Sequence, residues 1–311
     1  MWVPSDWVAA GLEGLAGVDV EVVTLGRDMG ETGAVGPVAV PASVAGVEFY
    51  VPSFFPSPAG SAVLGEMRGL RVVQALTAGV DWIRPHVPPS VALCNARGAH
   101  DASTAEWVVA AMLSALRAFP QFTAEQEAGR WAYQGTDQLA TKNVLIVGYG
   151  AIGAAVERRL EGFEVTVRRV ARNQREGIAG LADLPSLLPW ADVVVLLVPF
   201  TQETRRLAGA GFLARMKDGA LLVNAARGAV VDTAALVAEV ASGRLRAALD
   251  VTDPEPLPAG HPLWSLPGVF ITPHVAASTP VSRERAAALV REQAEAYLRG
   301  EPLRNVISGA Y

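Results

Sequence analysis

Three side chains suited to proton transfer and carboxylate binding occur late in the sequence. Arg227, Glu255 and His274 each come shortly after a run of aliphatic and β-branched residues that predicts a parallel β-strand. The carboxyl ends of parallel strands meet at one edge of an open α/β sheet, and such sheets bind ligands at that edge. We therefore expect these three side chains to lie close together.

Together these residue types suit the interconversion of a 2-oxo acid and its 2-hydroxy acid. The planar guanidinium of Arg227 matches the two oxygens of a substrate carboxylate. An imidazole such as that of His274 can give or take the proton at the substrate oxygen. Glu255, bonded to the other ring nitrogen, would fix the tautomer and favour the protonated ring. Taken singly, each residue has a structural alternative: an arginine bonded to turn carbonyls, an exposed loop acid and a buried, hydrogen-bonded histidine.

A glycine motif of the form G-x-G-x-x-G lies in the middle of the chain, between a predicted buried strand and a predicted helix. Gly148 permits a tight turn, Gly150 lets the backbone approach a pyrophosphate, and Gly153 lets the helix pack on the strand. The N–H groups at the start of the helix then bind phosphates. The motif predicts a dinucleotide site, and the alternative is a glycine-rich turn in an unrelated α/β fold.

The residues around the end of the next predicted strand indicate which nicotinamide cofactor is bound. NAD sites have an acidic residue there, which bonds the ribose 2′-hydroxyl, but this chain has Ala171. Three arginines surround that position, namely Arg168, Arg169 and Arg172. Because a guanidinium pairs well with a phosphate, we predict a preference for NADP, with NAD as the alternative cofactor. In the competing interpretation, the arginines are solvated surface charges.

Predicted strands and helices alternate along most of the chain, which is typical of parallel sheets in α/β proteins. The predicted strands are 20–25, 48–51, 72–76 and 91–95 in the first third, then 144–147, 165–170, 193–198, 221–224, 247–251 and 269–272. Ser103 and Glu106 have the spacing of a capping box and predict a helix start, and Pro120 ends or bends that helix. A last amphipathic helix, 281–300, follows Pro280 and must pack on an existing domain.

Length, charge and cysteine content narrow the class of protein. The 311 residues favour two domains, and the formal net charge of −5 gives no support for nucleic-acid binding. The single cysteine, Cys94, excludes an intramolecular disulfide and a cysteine-rich metal site. The start of the sequence has no basic residues and is unlike a signal peptide, and no apolar run approaches the ~20 residues of a membrane span. We expect a cytoplasmic protein with neither a metal nor a membrane partner.

These features resemble the D-isomer-specific 2-hydroxyacid dehydrogenase family, over most of the chain apart from its first 45 residues. The resemblance rests on the segments 77–82, 148–153, 224–228, 250–257 and 272–274. It implies an α/β fold with two doubly wound parallel-sheet domains, in which a Rossmann cofactor domain is inserted into a flavodoxin-like substrate domain. The substrate domain would comprise 1–97 and 278–311, and the dinucleotide-binding domain 98–277, with a cleft that closes on substrate.

The resemblance also implies roles for further residues. Backbone N–H groups of Ala78 and Gly79 would bind the substrate carboxylate, and Asp250 would bind the nicotinamide carboxamide. Such proteins are typically dimers joined through the cofactor domain, and Trp131 resembles a tryptophan that some relatives lend to the neighbouring subunit's pocket. With Asp250 and the three arginines, the expected cofactor contacts are Gly148, Tyr149, Gly150, Ala151, Ile152, Gly153 and Pro199.

The substrate itself is less closely defined than the reaction. A glyoxylate- or hydroxypyruvate-like acid fits the resemblance, and Phe54, if it faces the substrate together with Phe55, would favour an apolar tail. Alternatively, both rings close the core of the substrate domain. Relatives that act on formate would have glutamine in place of Glu255, and phosphite oxidation lacks positive support. A different class of protein, a non-catalytic NAD(P)H sensor or corepressor-like scaffold, remains the main alternative.

Overall fold

The computed structural model describes residues 1–27, 39–55 and 57–308. The chain forms two compact units, Met1–His100 with Ser278–Tyr311, and Asp101–Ala277. The last three residues of the predicted substrate domain, 309–311, lie outside the described residues. In the described part of the chain, no helix combines the length and the apolar character needed to cross a membrane.

Both units are built from short strands and helices. The strands are β1 (Trp2–Val3), β2 (Glu21–Val22), β3 (Phe49–Tyr50), β4 (Val72–Gln74), β5 (Ala92–Cys94), β6 (Asn143–Val147), β7 (Thr166–Val170), β8 (Val193–Leu196), β9 (Leu221–Asn224), β10 (Arg246–Leu249) and β11 (Val269–Ile271). The α-helices are α1 (Asp6–Gly11), α2 (Pro58–Ala62), α3 (Asp101–Leu116), α4 (Phe119–Glu127), α5 (Ala151–Leu160), α6 (Leu184–Leu187), α7 (Ala210–Leu213), α8 (Thr233–Ala241) and α9 (Pro280–Leu298).

The first unit is built on a parallel sheet with the order β2-β1-β3-β4-β5. This is the 2-1-3-4-5 order of flavodoxin-like folds. Trp2, Tyr50 and Ile83 are almost fully buried in its core. The sequence pattern missed β1, because two residues are too few to show an alternation of apolar and polar positions.

The second unit is built on a six-stranded parallel sheet with the order β11-β10-β9-β8-β6-β7. Alternate residues of its central strands enter two separate cores; in β6, Leu145 and Val147 face one core while Val144 and Ile146 face the other. Apolar packing on both faces explains why these strands read as continuous hydrophobic runs. The predicted fold class is confirmed: both units are doubly wound parallel-sheet domains.

The chain changes direction across the second sheet between β6 and β8. From β6 it continues to β7 on one side, and then returns to β8 on the other side of β6. Open α/β sheets bind ligands in the crevice at such a switch point, outside the carboxyl ends of the strands. The glycine motif follows β6 directly, so the sheet topology and the motif indicate the same place.

Two local predictions for the helix after the first sheet are corrected. The predicted capping box at Ser103 was wrong, because α3 already begins at Asp101 and the side chain of Ser103 is buried within the helix. Pro120 neither ends nor bends that helix, which stops at Leu116. It lies instead in the first turn of α4, where a proline costs no intrahelical hydrogen bond.

Candidate active site

The loop after β9 holds Arg227 in a fixed backbone geometry. The side chain of Asn224 accepts from the N–H of Ala226 and donates to the carbonyl of Arg227, both at 3.0 Å. Gly228 follows, and a Cβ there would lie 1.9 Å from the carbonyl oxygen of Thr252. Only glycine allows this close approach, which packs the Arg227 loop against the loop that follows β10.

Glu255 and His274 form a direct pair. Nδ1 of His274 lies 2.7 Å from Oε1 of Glu255, and both side chains are partly exposed. Partial burial of Glu255 works against its ionisation, but the bond to His274 and the positive charges of His274 and Arg227 outweigh this and lower the pKa of the carboxyl below its ordinary value. The carboxylate therefore stays ionised and orients the ring.

Asp250 holds the histidine loop through its buried carboxylate. One oxygen accepts from the Thr272 hydroxyl at 2.6 Å and the N–H of Val275 at 2.8 Å, and the other accepts from the N–H of Ala276 at 3.0 Å. The backbone carbonyl of Asp250 also accepts from the N–H of His274 at 2.8 Å. A carboxylate has about four lone-pair sites, so one remains for the predicted bond to a carboxamide.

Arg227, Glu255 and His274 follow β9, β10 and β11, which are neighbours in the sheet. The structure brings the histidine and the glutamate into contact and gives the arginine an electrostatic effect on the glutamate. A cation that can hold a carboxylate thus lies near an imidazole whose Nδ1 is bonded to an acid. This arrangement suits proton transfer at the oxygen of a bound acid. Among the described residues, histidine, cysteine and acidic side chains do not gather in groups that could hold a metal ion.

The glycine loop after β6 has the space that a dinucleotide requires. Gly148 has a φ of 107°, and a Cβ there would lie 2.4 Å from the carbonyl carbon of Leu197. A Cβ on Gly153 would lie 3.0 Å from the carbonyl oxygen of Gly148, so the helix packs closely on the turn. Beside Gly150 there is open space within 4 Å, where a phosphate could approach the backbone. The loop therefore fits a pyrophosphate.

The other predicted loop contacts lie around that turn. Tyr149 donates its N–H to the carbonyl of Val170 at 2.9 Å, which ties the turn to β7. Ala151 and Ile152 form the first turn of α5, after Gly150. The first N–H groups of a helix have no carbonyl partner within it, and these are the groups that bind phosphates.

Two of the predicted cofactor arginines have partners on opposite faces of β7. The guanidinium of Arg168 lies 4.3 Å from the ring centre of Trp190. Arg169 forms a two-bond ion pair with Glu157 on α5, and Glu157 also accepts from the hydroxyl of Tyr149. Alternation along the strand explains the separation, because successive side chains point to opposite faces. Their contact with a cofactor stays a prediction.

Arg172 and Arg175 lie beyond the end of β7. Arg172 pairs with Glu203, from the loop after β8, at 3.1 Å. Because β6 lies between β7 and β8, this pair bridges the loops on either side of the glycine turn. Arg175, which the sequence analysis missed, donates to the carbonyl of Tyr149 at 3.2 Å. Pro199, also in the loop after β8, is exposed and accepts a hydrogen bond from a threonine of that loop.

Ala78, Gly79 and Phe54 belong to the other unit. Ala78 and Gly79 form a partly exposed loop after β4. Phe54 is only 5% exposed and packs edge-on against Phe55 and against His100. This burial favours the alternative in which the Phe54 ring closes the core of its domain, rather than an exposed substrate contact.

Trp131 lies in the segment between α4 and β6. Its side chain is 99% exposed, and Tyr133, two residues further on, is 92% exposed. Large aromatic side chains carry a high cost when left in water, and such exposure commonly marks a surface that binds another chain. The contact of Trp131 with a neighbouring subunit stays a prediction.

The fold and the site define a two-unit α/β protein with a dinucleotide-type glycine loop and an Arg–Glu–His group at the edge of the same sheet. The family model described as "D-isomer specific 2-hydroxyacid dehydrogenase, NAD binding domain" matches residues 109–276, more than half of the chain. The protein belongs to the D-isomer specific 2-hydroxyacid dehydrogenase family.

Individual relatives agree with this assignment. The D-3-phosphoglycerate dehydrogenase of Archaeoglobus fulgidus is 34% identical over 257 residues, covering 79% of this chain and 49% of the relative, so the chain spans about half the length of that protein. The glyoxylate/hydroxypyruvate reductase B of Citrobacter koseri is 35% identical over 262 residues, covering 80% of this chain and 81% of the relative. A D-isomer specific 2-hydroxyacid dehydrogenase from Xanthobacter autotrophicus, crystallised with NADPH and MES, superposes with a TM-score of 0.80 at 32% identity, over 98% of this chain and 96% of that chain.

Proposed function

We propose that this protein is an NAD(P)-dependent 2-oxoacid reductase, equivalently a 2-hydroxyacid dehydrogenase. The contact that carries the proposal is the 2.7 Å bond between His274 and Glu255, with Arg227 close enough to stabilise the glutamate charge. A catalytic acid, its orienting carboxylate and a carboxylate-binding cation are the groups that this reaction requires. Membership of the family supports the same activity.

Each of the three residues has one task in this reaction. Arg227 binds the substrate carboxylate and so orients the 2-oxo group. His274 donates the proton to the oxo oxygen from Nε2, because Nδ1 is bonded to Glu255. Glu255 fixes the ring and stabilises its positive charge. Bound NAD(P)H supplies the hydride, and the glycine loop and Asp250 hold that cofactor.

The preferred cofactor is NADP(H), with NAD(H) as a second cofactor. Ala171 removes the carboxylate that would repel a 2′-phosphate, and Arg172 and Arg175 lie just beyond the same strand end. The relative from Xanthobacter autotrophicus was crystallised with NADPH, which supports this preference. A bound 2′-phosphate would replace Glu203 as the partner of Arg172.

The substrate is a small 2-oxo acid of the glyoxylate or hydroxypyruvate kind. The name of the Citrobacter koseri relative supports this class. The burial of Phe54 supports a small acid over one with an apolar tail. Glu255 argues against formate oxidation, for which relatives would have glutamine. We further propose a homodimer joined through the cofactor domain, which the exposure of Trp131 supports. We also propose that the protein is cytoplasmic.

A direct assay tests the function and the cofactor together. The protein is mixed with NADPH or NADH and with glyoxylate, hydroxypyruvate, pyruvate or phenylpyruvate, and loss of the reduced nicotinamide is followed by absorbance. We expect turnover of at least one acid, with a higher kcat/KM for NADPH that falls in Arg172→Gln. Tight nucleotide binding without turnover of any acid would instead support a nucleotide sensor.

A further inference from the structure

The loop that contains Ala78 and Gly79 is bonded to the segment that follows β5. Asn95 donates from Nδ2 to the carbonyl oxygen of Ala78 at 2.8 Å. Its neighbour Ala96 donates from the backbone N–H to the carbonyl oxygen of Thr77 at 2.9 Å. Asn95 and Ala96 therefore hold two consecutive peptide groups of the loop, each by its carbonyl oxygen.

Because the peptide group is planar, a hydrogen bond that fixes the direction of its C=O also fixes the direction of its N–H. In a trans peptide, the C=O and the N–H of one unit point in opposite directions. The bond from Asn95 to the Ala78 carbonyl therefore directs the N–H of Gly79 away from Asn95. The bond from Ala96 to the Thr77 carbonyl directs the N–H of Ala78 in the same way. Both N–H directions are set by the protein alone.

Asn95 is itself held by contacts on its other atoms. The side chain is buried, and its Oδ1 accepts from the N–H of Arg97 at 3.2 Å. Its backbone N–H donates to the carbonyl of Asn305 at 3.2 Å, and its backbone carbonyl accepts from the side chain of Asn305 at 3.3 Å. An amide bonded at both ends of its side chain and along its backbone is restricted to one position.

The C-terminal segment around Asn305 is connected to Asn95 through a network of buried amide side chains. Gln293 on α9 donates to Oε1 of Gln74 at 2.9 Å, and the two side chains are almost fully buried. Gln293 also bonds both the N–H and the carbonyl of Arg304 at 2.8 Å. Gln74 in turn donates to the carbonyl of Asn95 at 3.3 Å. The end of the chain is thus connected to the loop at 77–79 through Asn95.

We propose that Asn95 is a positioning residue for the substrate carboxylate, and that the C-terminal segment at 303–307 keeps Asn95 in place. The proposal rests on the proposed function, because its ligand is the carboxylate of the 2-oxo acid bound by the N–H groups of Ala78 and Gly79. Donors that are oriented in advance bind an anion without the cost of ordering the loop. Loss of the Asn95 side chain leaves both N–H groups present, but the N–H of Gly79 is no longer fixed in direction.

The test compares Asn95→Ala with Asn143→Ala, using NADPH and the 2-oxo acid that the wild type turns over fastest. Asn143 is a matched control, since its Nδ2 also donates to a backbone carbonyl, that of Trp190 at 3.0 Å, but in the other unit. For Asn95→Ala we expect the KM for the 2-oxo acid to rise about fivefold, the effect of one lost hydrogen bond. In the same variant, kcat and the KM for NADPH should stay within about twofold of their wild-type values. In Asn143→Ala, the KM for the 2-oxo acid, the KM for NADPH and kcat should all stay within that range.

Binding of oxamate, an unreactive analogue of a 2-oxo acid, gives a readout that does not require turnover. Its dissociation constant from the NADPH complex should rise by the same factor in Asn95→Ala, and by a smaller factor in Asn305→Ala. If Asn95→Ala does not fold, the same measurements on Asn305→Ala provide the test. A lower melting temperature with unchanged KM and unchanged oxamate binding would overturn the proposal, as would an equal rise in the KM for NADPH. A wild type that binds oxamate but reduces no acid would contradict the proposed function and leave this measurement intact.

Discussion

His274 has a left-handed backbone conformation, with a φ of 56°. For a residue with a side chain this costs of order 1–3 kcal/mol and persists only where the surroundings fix it. Asp250 provides that constraint, because its carboxylate and its backbone carbonyl bond three consecutive N–H groups from His274 to Ala276. The strain is therefore located at the residue whose direction matters most for the proposed reaction.

Substitution of Glu255 by glutamine tests the charge without removing the hydrogen bond. The introduced amide oxygen would still accept from Nδ1 of His274, but it would no longer stabilise the positive charge of the ring. We expect Glu255→Gln to lower kcat by at least about tenfold, within the range of general acid–base effects. Binding of NADPH should not change. An unaltered kcat, measured in the standard assay, would show that Glu255 has no part in catalysis.

The pH dependence of stability tests the same pair. The pKa of Glu255 is lowered in the folded protein, so the ionised carboxylate stabilises the fold at pH values above its ordinary pKa of 4.5. That contribution is lost as the pH falls through the lowered, folded-state pKa. We therefore expect the melting temperature of wild type to fall relative to that of Glu255→Gln as the pH decreases below about 4.5. The comparison is made by thermal unfolding across a pH series, and a constant difference throughout would contradict the pairing.

Among the secondary-structure elements, the turn from β6 into α5 contains two glycines with different requirements. A Cβ at Gly148 would meet the backbone of Leu197, and its φ is positive, whereas a Cβ at Gly150 would enter open space. We expect Gly148→Ala to destabilise the protein by about 2 kcal/mol or more. Gly150→Ala should leave stability unchanged and weaken NADPH binding by about tenfold, because the added Cβ occupies the phosphate space.

Thermal unfolding and nucleotide titration measure these two effects separately. Gly162→Ala is a suitable control, since Gly162 also borders open space and has no positive φ, but lies just beyond the C-terminal end of α5. It should change neither property. Undiminished NADPH binding in Gly150→Ala would mean that the cofactor phosphates bind elsewhere.

Elements with a strong periodic or compositional signal could be predicted from the sequence. The strands of the second sheet are buried on both faces, and this gave continuous apolar runs such as 193–198, which contains β8. The glycine motif could also be interpreted, because each of its glycines has a separate steric reason. The two-residue strand β1 and the exact start of α3 could not, since tertiary contacts rather than local propensity determine them.

The sequence indicated the candidate reactive side chains, Arg227, Glu255 and His274, but not the residues that hold the loops around the site in place. Nothing in the local sequence distinguishes Asn95 from an ordinary polar residue at a strand end, and the motif that contains Asn224 does not show which groups its side chain bonds. Their roles depend on hydrogen bonds to loops that the fold brings to them, such as that from Asn95 to Ala78. The contact of Asp250 with the cofactor stays a prediction. Its hydrogen bonds to the loop that contains His274 could be seen only in the structure.

The exposed side chain of Trp131 is relevant to the oligomeric state of the protein. A homodimer joined through the cofactor domain would cover Trp131, which is fully exposed in the single chain. We expect sedimentation to give twice the chain mass of 32.6 kDa. Trp131→Ala should raise the KM for the 2-oxo acid without dissociating the dimer, if the residue enters the neighbouring pocket. A monomer in solution at assay concentrations would contradict this arrangement.

In the proposed reaction, His274 supplies the proton when a 2-oxo acid is reduced. The kcat of His274→Gln with NADPH and the best 2-oxo acid, measured beside the dissociation constant for NADPH, isolates that step from cofactor binding. We expect kcat to fall by about 10²–10⁴-fold, the range of a lost general acid, with NADPH binding unchanged. A kcat near that of wild type, or an equal loss of NADPH binding, would contradict the role of His274 as the proton donor.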